Sequence, residues 1–204
     1  MMPKLSELDP SSEPIALGDR AREDLRFIRR TMERGAAFTA VPGLGGVGMG
    51  CTALVAAALA SRQATPEAWL LVWVLEAVVA VAIGVVAIHR KARRASLAVL
   101  SGGGRTFVLS FLPPALAGAV LTIALWQTGA HALLPGAWLL LYGAAVVTAG
   151  TFAVRIVPTM GICFMVLGAL TLLWARDHGD LAMAAGFGGL QIVFGTIIAR
   201  RHGG

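Results

Sequence analysis

The stretch WLLVWVLEAVVAVAIGVVAI, residues 69–88, decides the fold of this chain. It holds twenty residues, and all of them except Glu76 are apolar or glycine. A run of this length, wound as an α-helix, matches the hydrocarbon thickness of a bilayer. The segment HRKARR follows directly, and Lys and Arg beside a span favour the cytoplasmic side. The residues predicted to form a cytoplasmic basic surface here are Arg90, Lys91, Arg93 and Arg94.

The composition excludes a soluble globular domain. Of the 204 residues, 57% are apolar and 14% are charged, and the mean hydropathy is +0.76, which is typical of a polytopic membrane protein. Most of the net charge of +6 comes from the segment between Arg90 and Arg105, because basic and acidic residues balance over residues 1–40. Membrane orientation explains this excess, so the lipid bilayer is an expected partner and nucleic acid is not.

The same pattern predicts an all-α domain over residues 41–200 with six spans and both termini in the cytoplasm. In this arrangement, 15 of the 17 Lys and Arg residues lie inside, with only Arg62 and Arg176 outside, as the positive-inside rule requires. All five tryptophans lie near outer span ends, where amphipathic rings favour the interface. The predicted spans are residues 43–60, 69–88, 107–127, 138–154, 159–174 and 181–199.

Two local features modify these spans. Pro113 and Pro114 remove backbone donors, so they are expected to kink the third span or to start it. The fourth and fifth spans are short, and their inner turn contains Arg155, which is expected to reach the lipid phosphates and join the cytoplasmic basic surface.

The first forty residues are predicted to lie in the cytoplasm. Residues 1–18 mix Pro, Ser and acidic residues without apolar periodicity and are expected to form a mobile tail. Over residues 19–38, apolar side chains recur at helical spacing opposite a charged face, which predicts an amphipathic helix. This helix would lie on the inner membrane surface, dock a partner helix, or pack on the protein's own cytoplasmic loops.

A weak internal repeat suggests three hairpins of one design, each running in, out and in. The pattern Val41-Pro42 with Gly45 recurs as Val157-Pro158 with Gly161. Chance similarity between apolar sequences is the alternative.

Small residues at four-residue spacing predict close helix packing or self-association. The glycines predicted to pack are Gly46, Gly50, Gly188 and Gly189.

Glu76 is the group most able to carry chemistry within a span. It lies seven residues beyond Trp69, hence roughly 10 Å below the outer interface at 1.5 Å per residue. A carboxylate there is costly unless it is paired, protonated or hydrated, so we expect a neutral, hydrogen-bonded group in an outer-half polar cluster. A proton or cation site and a structural polar contact between helices are both open. The members of the predicted cluster are Glu76, Thr122, Gln127, Thr171 and Gln191.

No known catalytic, metal or cofactor motif accompanies these residues. Cys51 and Cys163 lie in separate apolar runs, so no disulfide or metal site is expected, and the histidines are scattered. Neither an enzyme nor a cofactor is therefore expected.

Three stretches resemble those of bacterial six-span integral membrane proteins with no assigned function. They are FIRRTMERGAAFTAVPGLGG, LLPGAWLLLYGAAVVTAGTFAVRIVP and GFGGLQIVFGTIIARRHGG. The resemblance implies a bacterial inner-membrane location and assigns no site residue.

The leading hypothesis is a non-enzymatic interaction, regulatory or assembly protein that contacts itself or a partner protein through residues 19–38 and the basic loop. The rival is a small oligomeric transporter or channel that uses Glu76 in a polar pathway. A water-accessible cavity reaching Glu76 favours the rival, whereas a dry, hydrogen-bonded Glu76 favours the first hypothesis.

Overall fold

The computed structural model describes Arg22, Leu25 and residues 43–94, 103–151 and 153–202. The chain divides into two units, Met1–Ala36 and Ala37–Gly204. Arg22 and Leu25 are helical and exposed. The rest of the predicted tail and amphipathic helix, residues 1–18 and 19–38, lies outside the described residues.

The second unit contains six helical spans. The first five are α1 (Gly43–Ala60), α2 (Pro66–Arg94), α3 (Gly103–Gln127), α4 (Leu134–Gly150) and α5 (Ile156–Trp174). The sixth joins a short helix α6 (Gly179–Met183), a π-helical segment (Ala184–Leu190) and α7 (Gln191–His202). All six spans are long and apolar enough to cross a bilayer, which confirms the predicted all-α membrane protein. The chain is a multi-pass membrane protein.

The observed boundaries differ from the predicted ones where prolines and basic residues stand. α2 continues through the basic segment to Arg94. The first part of the loop expected between Arg90 and Arg105 is therefore helical. α4 begins at Leu134 rather than at residue 138, because Pro135 fits the first turn of a helix, where its missing N–H is not needed. Pro113 and Pro114 lie inside α3 and do not start it. Prolines are tolerated within membrane helices because neighbouring groups bond to the backbone groups that proline leaves unpaired.

Glycines bring α1 and the sixth span into backbone contact. A methyl group built on Gly50 would lie 2.8 Å from the carbonyl oxygen of Gly188, and one built on Gly46 would lie 3.2 Å from the Cα of Gly195. Gly46 and Gly50 therefore lie at this contact, and a methyl group on Gly188 would meet the Leu54 side chain of α1. Gly189 lies away from this contact, since a methyl group there would meet one carbonyl oxygen, that of Ala184, at 3.9 Å.

A second antiparallel pair, α4 with α5, is packed in the same way. A methyl group on Gly143 would lie 2.6 Å from the carbonyl oxygen of Gly161, and one on Gly136 would lie 3.0 Å from that of Gly168. Small residues let the two backbones approach without side chains between them. These two glycine-packed pairs form the frame of the bundle.

The other two spans, α2 and α3, stand at the edge of this frame. α2 packs on α1 and α3 packs on α4, whereas α5 packs chiefly on α4 and the sixth span chiefly on α1. The packing therefore does not form three equal hairpins, and the internal repeat stays a prediction. Of the residues whose exposure the structure describes, α2 and α3 each bury one, Trp73 on α2 and Gly104 on α3. Their remaining apolar surface is available to lipid.

Candidate functional site

Glu76 is held by a hydroxyl group on the neighbouring span. The Thr52 hydroxyl of α1 donates a hydrogen bond of 2.8 Å to Oε1 of Glu76 on α2. Glu76 is half-buried, and the same hydroxyl lies 2.9 Å from the carbonyl oxygen of Met49. A hydrogen-bonded carboxyl group is thereby fixed between two adjacent helices.

Thr122 belongs to a different group, which lies at the end of the bundle that carries Trp69, Trp138 and Asp180. We call this end the tryptophan end. The Trp138 indole N–H donates to the Thr122 hydroxyl at 2.7 Å, and the Trp69 indole N–H donates to Oδ1 of Asp180 at 2.6 Å. The two indole rings stack with centroids 5.6 Å apart. This network joins α2, α3, α4 and α6.

The other predicted members are also separate. The hydroxyl of Thr171, which is buried, donates to the carbonyl oxygen of Leu167 on its own helix. Gln127 is exposed at the last residue of α3. The hydrogen bonds of the described residues thus divide the predicted outer-half cluster into independent contacts.

Gln191 forms the most unusual of these contacts. Its side-chain Nε2 donates to the hydroxyl oxygen of Tyr142 at 3.0 Å, which joins α7 to α4. Gln191 is only 5% exposed, and its Oε1 is buried without a hydrogen-bond partner. An unpaired buried acceptor costs free energy of about 1–3 kcal/mol, so this atom is a site at which a donor would be stabilised.

Aromatic rings surround this polar pair. The ring centroid of Tyr142 lies 4.8 Å from that of Phe164, 5.1 Å from that of Phe187 and 6.0 Å from that of Phe111. All three contacts are edge-to-face, which is a favoured arrangement of aromatic rings. They fix the Tyr142 ring, and with it the position of the hydroxyl group.

A cavity of about 150 Å³ lies beside the pair, and all six spans contribute to its wall. The wall is buried on the side of α4, α5 and α7, where Val146, Val157 and Gln191 lie. It is partly exposed on the side of α2 and α3, where Gly84 and Phe111 lie. Within the described ranges, α2 and α3 do not pack extensively on each other. The cavity therefore opens between α2 and α3.

The π-helical segment determines where Gln191 points. The backbone N–H of Gln191 bonds to the carbonyl oxygens of Gly186 and Gly188, so the backbone is wider here than in an α-helix. Such segments often occur at functional sites. Phe187 projects from the segment toward Tyr142 and Trp73, so the segment supplies both a ring and the polar group of the site.

The predicted cytoplasmic basic surface falls at the opposite end from the tryptophans. Arg90 and Arg93 are exposed on the last turns of α2, and Arg155 is exposed directly before α5. Lys91 and Arg94 occupy the same last turns. We call this the basic end of the bundle.

Two partners were missed in the sequence, although both leave a signal. Thr52 and Glu76 lie at similar numbers of residues before and after the turn between α1 and α2. Two helices joined by a short turn place such residues side by side, so the pair could be found from the sequence. Tyr142 is the only tyrosine of the chain, and a tyrosine within a span needs a partner for its hydroxyl group.

Across the part of the chain that the structure describes, no group of three or more His, Cys, Asp or Glu side chains could hold a metal ion. Cys51 and Cys163 are free.

Comparisons with protein-family models, curated proteins and solved structures give no match for this chain. The resemblance to bacterial six-span membrane proteins stays an expectation from the sequence.

Proposed function

We propose that this chain is a non-enzymatic interaction, regulatory or assembly protein of the bacterial inner membrane, with both termini in the cytoplasm. The contact between Thr52 and Glu76 carries this proposal. A carboxyl group that is bonded to a neighbouring helix at 2.8 Å, and that does not line the cavity, fits a structural contact better than a step in a transport pathway.

The orientation is supported by the charge distribution along the spans. The exposed side chains of Arg90, Arg93 and Arg155 lie at the basic end, and Lys and Arg are retained on the cytoplasmic side during insertion. The indole groups at the opposite end fit the other interface.

The contact surface for a partner would be formed by the basic end and by residues 19–38. Leu25, on the apolar face predicted for residues 19–38, is helical and 65% exposed. An exposed apolar side chain on an amphipathic helix is suited to a lipid surface, a partner protein or a second copy of this chain.

The rival function is a small oligomeric transporter or channel with Glu76 as its proton or cation site. Its support is chemical, since an ionisable group within a span often belongs to an ion pathway. In the first function Glu76 is required for the contact between two helices, and in the rival function it is required for the passage of a proton or cation.

Flux measurements in proteoliposomes distinguish them. Proton and cation flux would be measured for the wild type and for Glu76→Gln, with Thr196→Val as a matched control, because the Thr196 hydroxyl bonds only within its own helix. We expect no flux above that of empty liposomes in any of the three. Flux in the wild type that Glu76→Gln abolishes, with folding intact, would establish the transporter instead.

The interaction itself is tested by a photo-crosslinking amino acid at position 25 in cells. We expect a discrete crosslinked product from position 25. A crosslinker at exposed Gln63 in the loop between α1 and α2 is the control and should give none. Absence of a product at position 25, with normal expression, would count against a partner at this helix.

A further inference from the structure

We propose that the cavity beside Gln191 binds a hydroxylated aromatic ring, either a membrane-soluble phenol or the head of a hydroquinone. Its hydroxyl group would be held between Gln191 and Tyr142. This inference concerns a ligand site and requires no partner protein.

The polar groups define the chemistry of the ligand. Oε1 of Gln191 is a buried acceptor without a partner. The Tyr142 oxygen already accepts the bond from Nε2 of Gln191, and no hydrogen bond of the described residues uses its hydrogen. The pair therefore holds one acceptor and one donor side by side. Because Oε1 is covered in this structure, the Gln191 amide must turn toward the cavity for a ligand to reach it. A hydroxyl group can donate to the first and accept from the second.

The size and lining of the cavity define the rest of the ligand. A volume of about 150 Å³ is close to that of an apolar protein cavity that accommodates one benzene ring. The wall is almost entirely apolar apart from the pair, and Phe111 and Tyr142 present aromatic surfaces to it. A single ring fits both the volume and the edge-to-face geometry of aromatic contacts.

The route of entry favours a molecule dissolved in the bilayer. The cavity opens between α2 and α3, whose outward surfaces are apolar. Its wall includes Gly84 and Ile88 of α2 and Phe107 of α3, which lie toward the basic end. A ring that carries an alkyl or isoprenoid chain could place the ring inside and leave the chain in the lipid.

Matched probes test the site in lipid nanodiscs that contain the full chain. The probes are 4-propylphenol and propylbenzene, which differ by the hydroxyl group, and empty nanodiscs supply the partitioning blank. We expect saturable binding of 4-propylphenol at least about tenfold tighter than that of propylbenzene, as two hydrogen bonds of ordinary strength allow.

Variants assign the preference to the pair. Tyr142→Phe combined with Gln191→Met removes the donor and the acceptor together, and should abolish the preference while propylbenzene still binds. Gln127→Met is the matched control, because Gln127 is exposed on α3, and should leave the preference unchanged. If the double variant does not fold, as judged by its thermal transition, Gln191→Met alone should reduce the preference at least threefold.

The sources of the ring are separated by a second pair of probes, propylhydroquinone and propyl-1,4-benzoquinone. Tighter binding of propylhydroquinone than of 4-propylphenol would identify a hydroquinone, and equal binding would identify a phenol. Equal affinity of the folded wild type for 4-propylphenol and propylbenzene would overturn the proposal. So would absence of saturable binding of either, or an unchanged preference in the double variant.

Discussion

The Thr52 hydroxyl lies between two acceptors, Oε1 of Glu76 at 2.8 Å and the carbonyl oxygen of Met49 at 2.9 Å. A hydroxyl group has one hydrogen to donate. With Thr52 as the donor, its hydrogen goes to one acceptor or is shared between both. The Met49 carbonyl receives it fully when the Glu76 side chain itself donates to Thr52. A protonated carboxyl or an amide can do this, and an ionised carboxylate cannot.

Thr52→Val should therefore destabilise the bundle, because it leaves the Glu76 carboxyl without its partner between α1 and α2. We expect a loss of about 1–3 kcal/mol in the free energy of unfolding, measured by denaturant titration in detergent. Glu76→Gln should cost less than 1 kcal/mol, since the amide can donate to Thr52 as a protonated carboxyl does. Thr196→Val is the control, and losses of equal size in Thr52→Val and Thr196→Val would contradict a role for the interhelical bond.

Gly50→Ala should loosen the contact between α1 and the sixth span. The added methyl group would lie 2.8 Å from the carbonyl oxygen of Gly188, so the helices must separate, at a cost of about 1–3 kcal/mol. Gly48→Ala on the same helix meets only a side-chain methyl of Ile83 at 3.6 Å and should be neutral or slightly stabilising. Unfolding midpoints of the two variants in one detergent make the comparison, and equal midpoints would contradict it.

Asp180→Ala should weaken the tryptophan end. The variant leaves the Trp69 indole N–H without the acceptor that now lies 2.6 Å away, and we expect a loss of about 1.5–3 kcal/mol, as for hydrogen bonds to charged groups. Asp180→Asn keeps an acceptor and should lose less. Asp177→Ala, at an exposed position three residues before Asp180, should change the unfolding midpoint little, and a loss as large as that of Asp180→Ala would refute the assignment.

A nitroxide label should detect the opening between α2 and α3. In a background of Cys51→Ser and Cys163→Ser, a label at position 84 should collide with dissolved oxygen more often than a label at position 157, because Gly84 is partly exposed and Val157 is buried. Power-saturation electron paramagnetic resonance in liposomes gives the two collision rates. Equal rates would mean that the cavity is closed on this side.

The six spans could be predicted because apolar runs of bilayer length occur in the sequence, and α1 was placed at its observed limits. The predicted fourth span, residues 138–154, lies four residues later in the sequence than α4. The apolar content does not change between residues 134 and 138, so it does not mark the start of the helix. Only the position of Pro135 in the first turn distinguishes the two starts.

Of the residues in the two contacts, the sequence indicates Glu76 and Gln191 but not their partners. The sequence indicates Glu76 and Gln191 because they are polar side chains within apolar spans. Depth along the span cannot say which helices are neighbours, so Thr52 and Tyr142 were not recognised as their partners. Glu76 bonds to Thr52 of α1, and Gln191 bonds to Tyr142 of α4. The pairing of α1 with the sixth span depends on glycine contacts between segments that are distant in the sequence.

That pairing also has a consequence for biosynthesis. The glycine face of α1 is covered by the sixth span, which is synthesised after all the other spans described here, whereas α4 and α5 can associate as soon as both are synthesised. Until the sixth span is inserted, the glycine face of α1 lies in the membrane without this partner. The contact between α1 and the sixth span therefore forms only when the sixth span has been inserted.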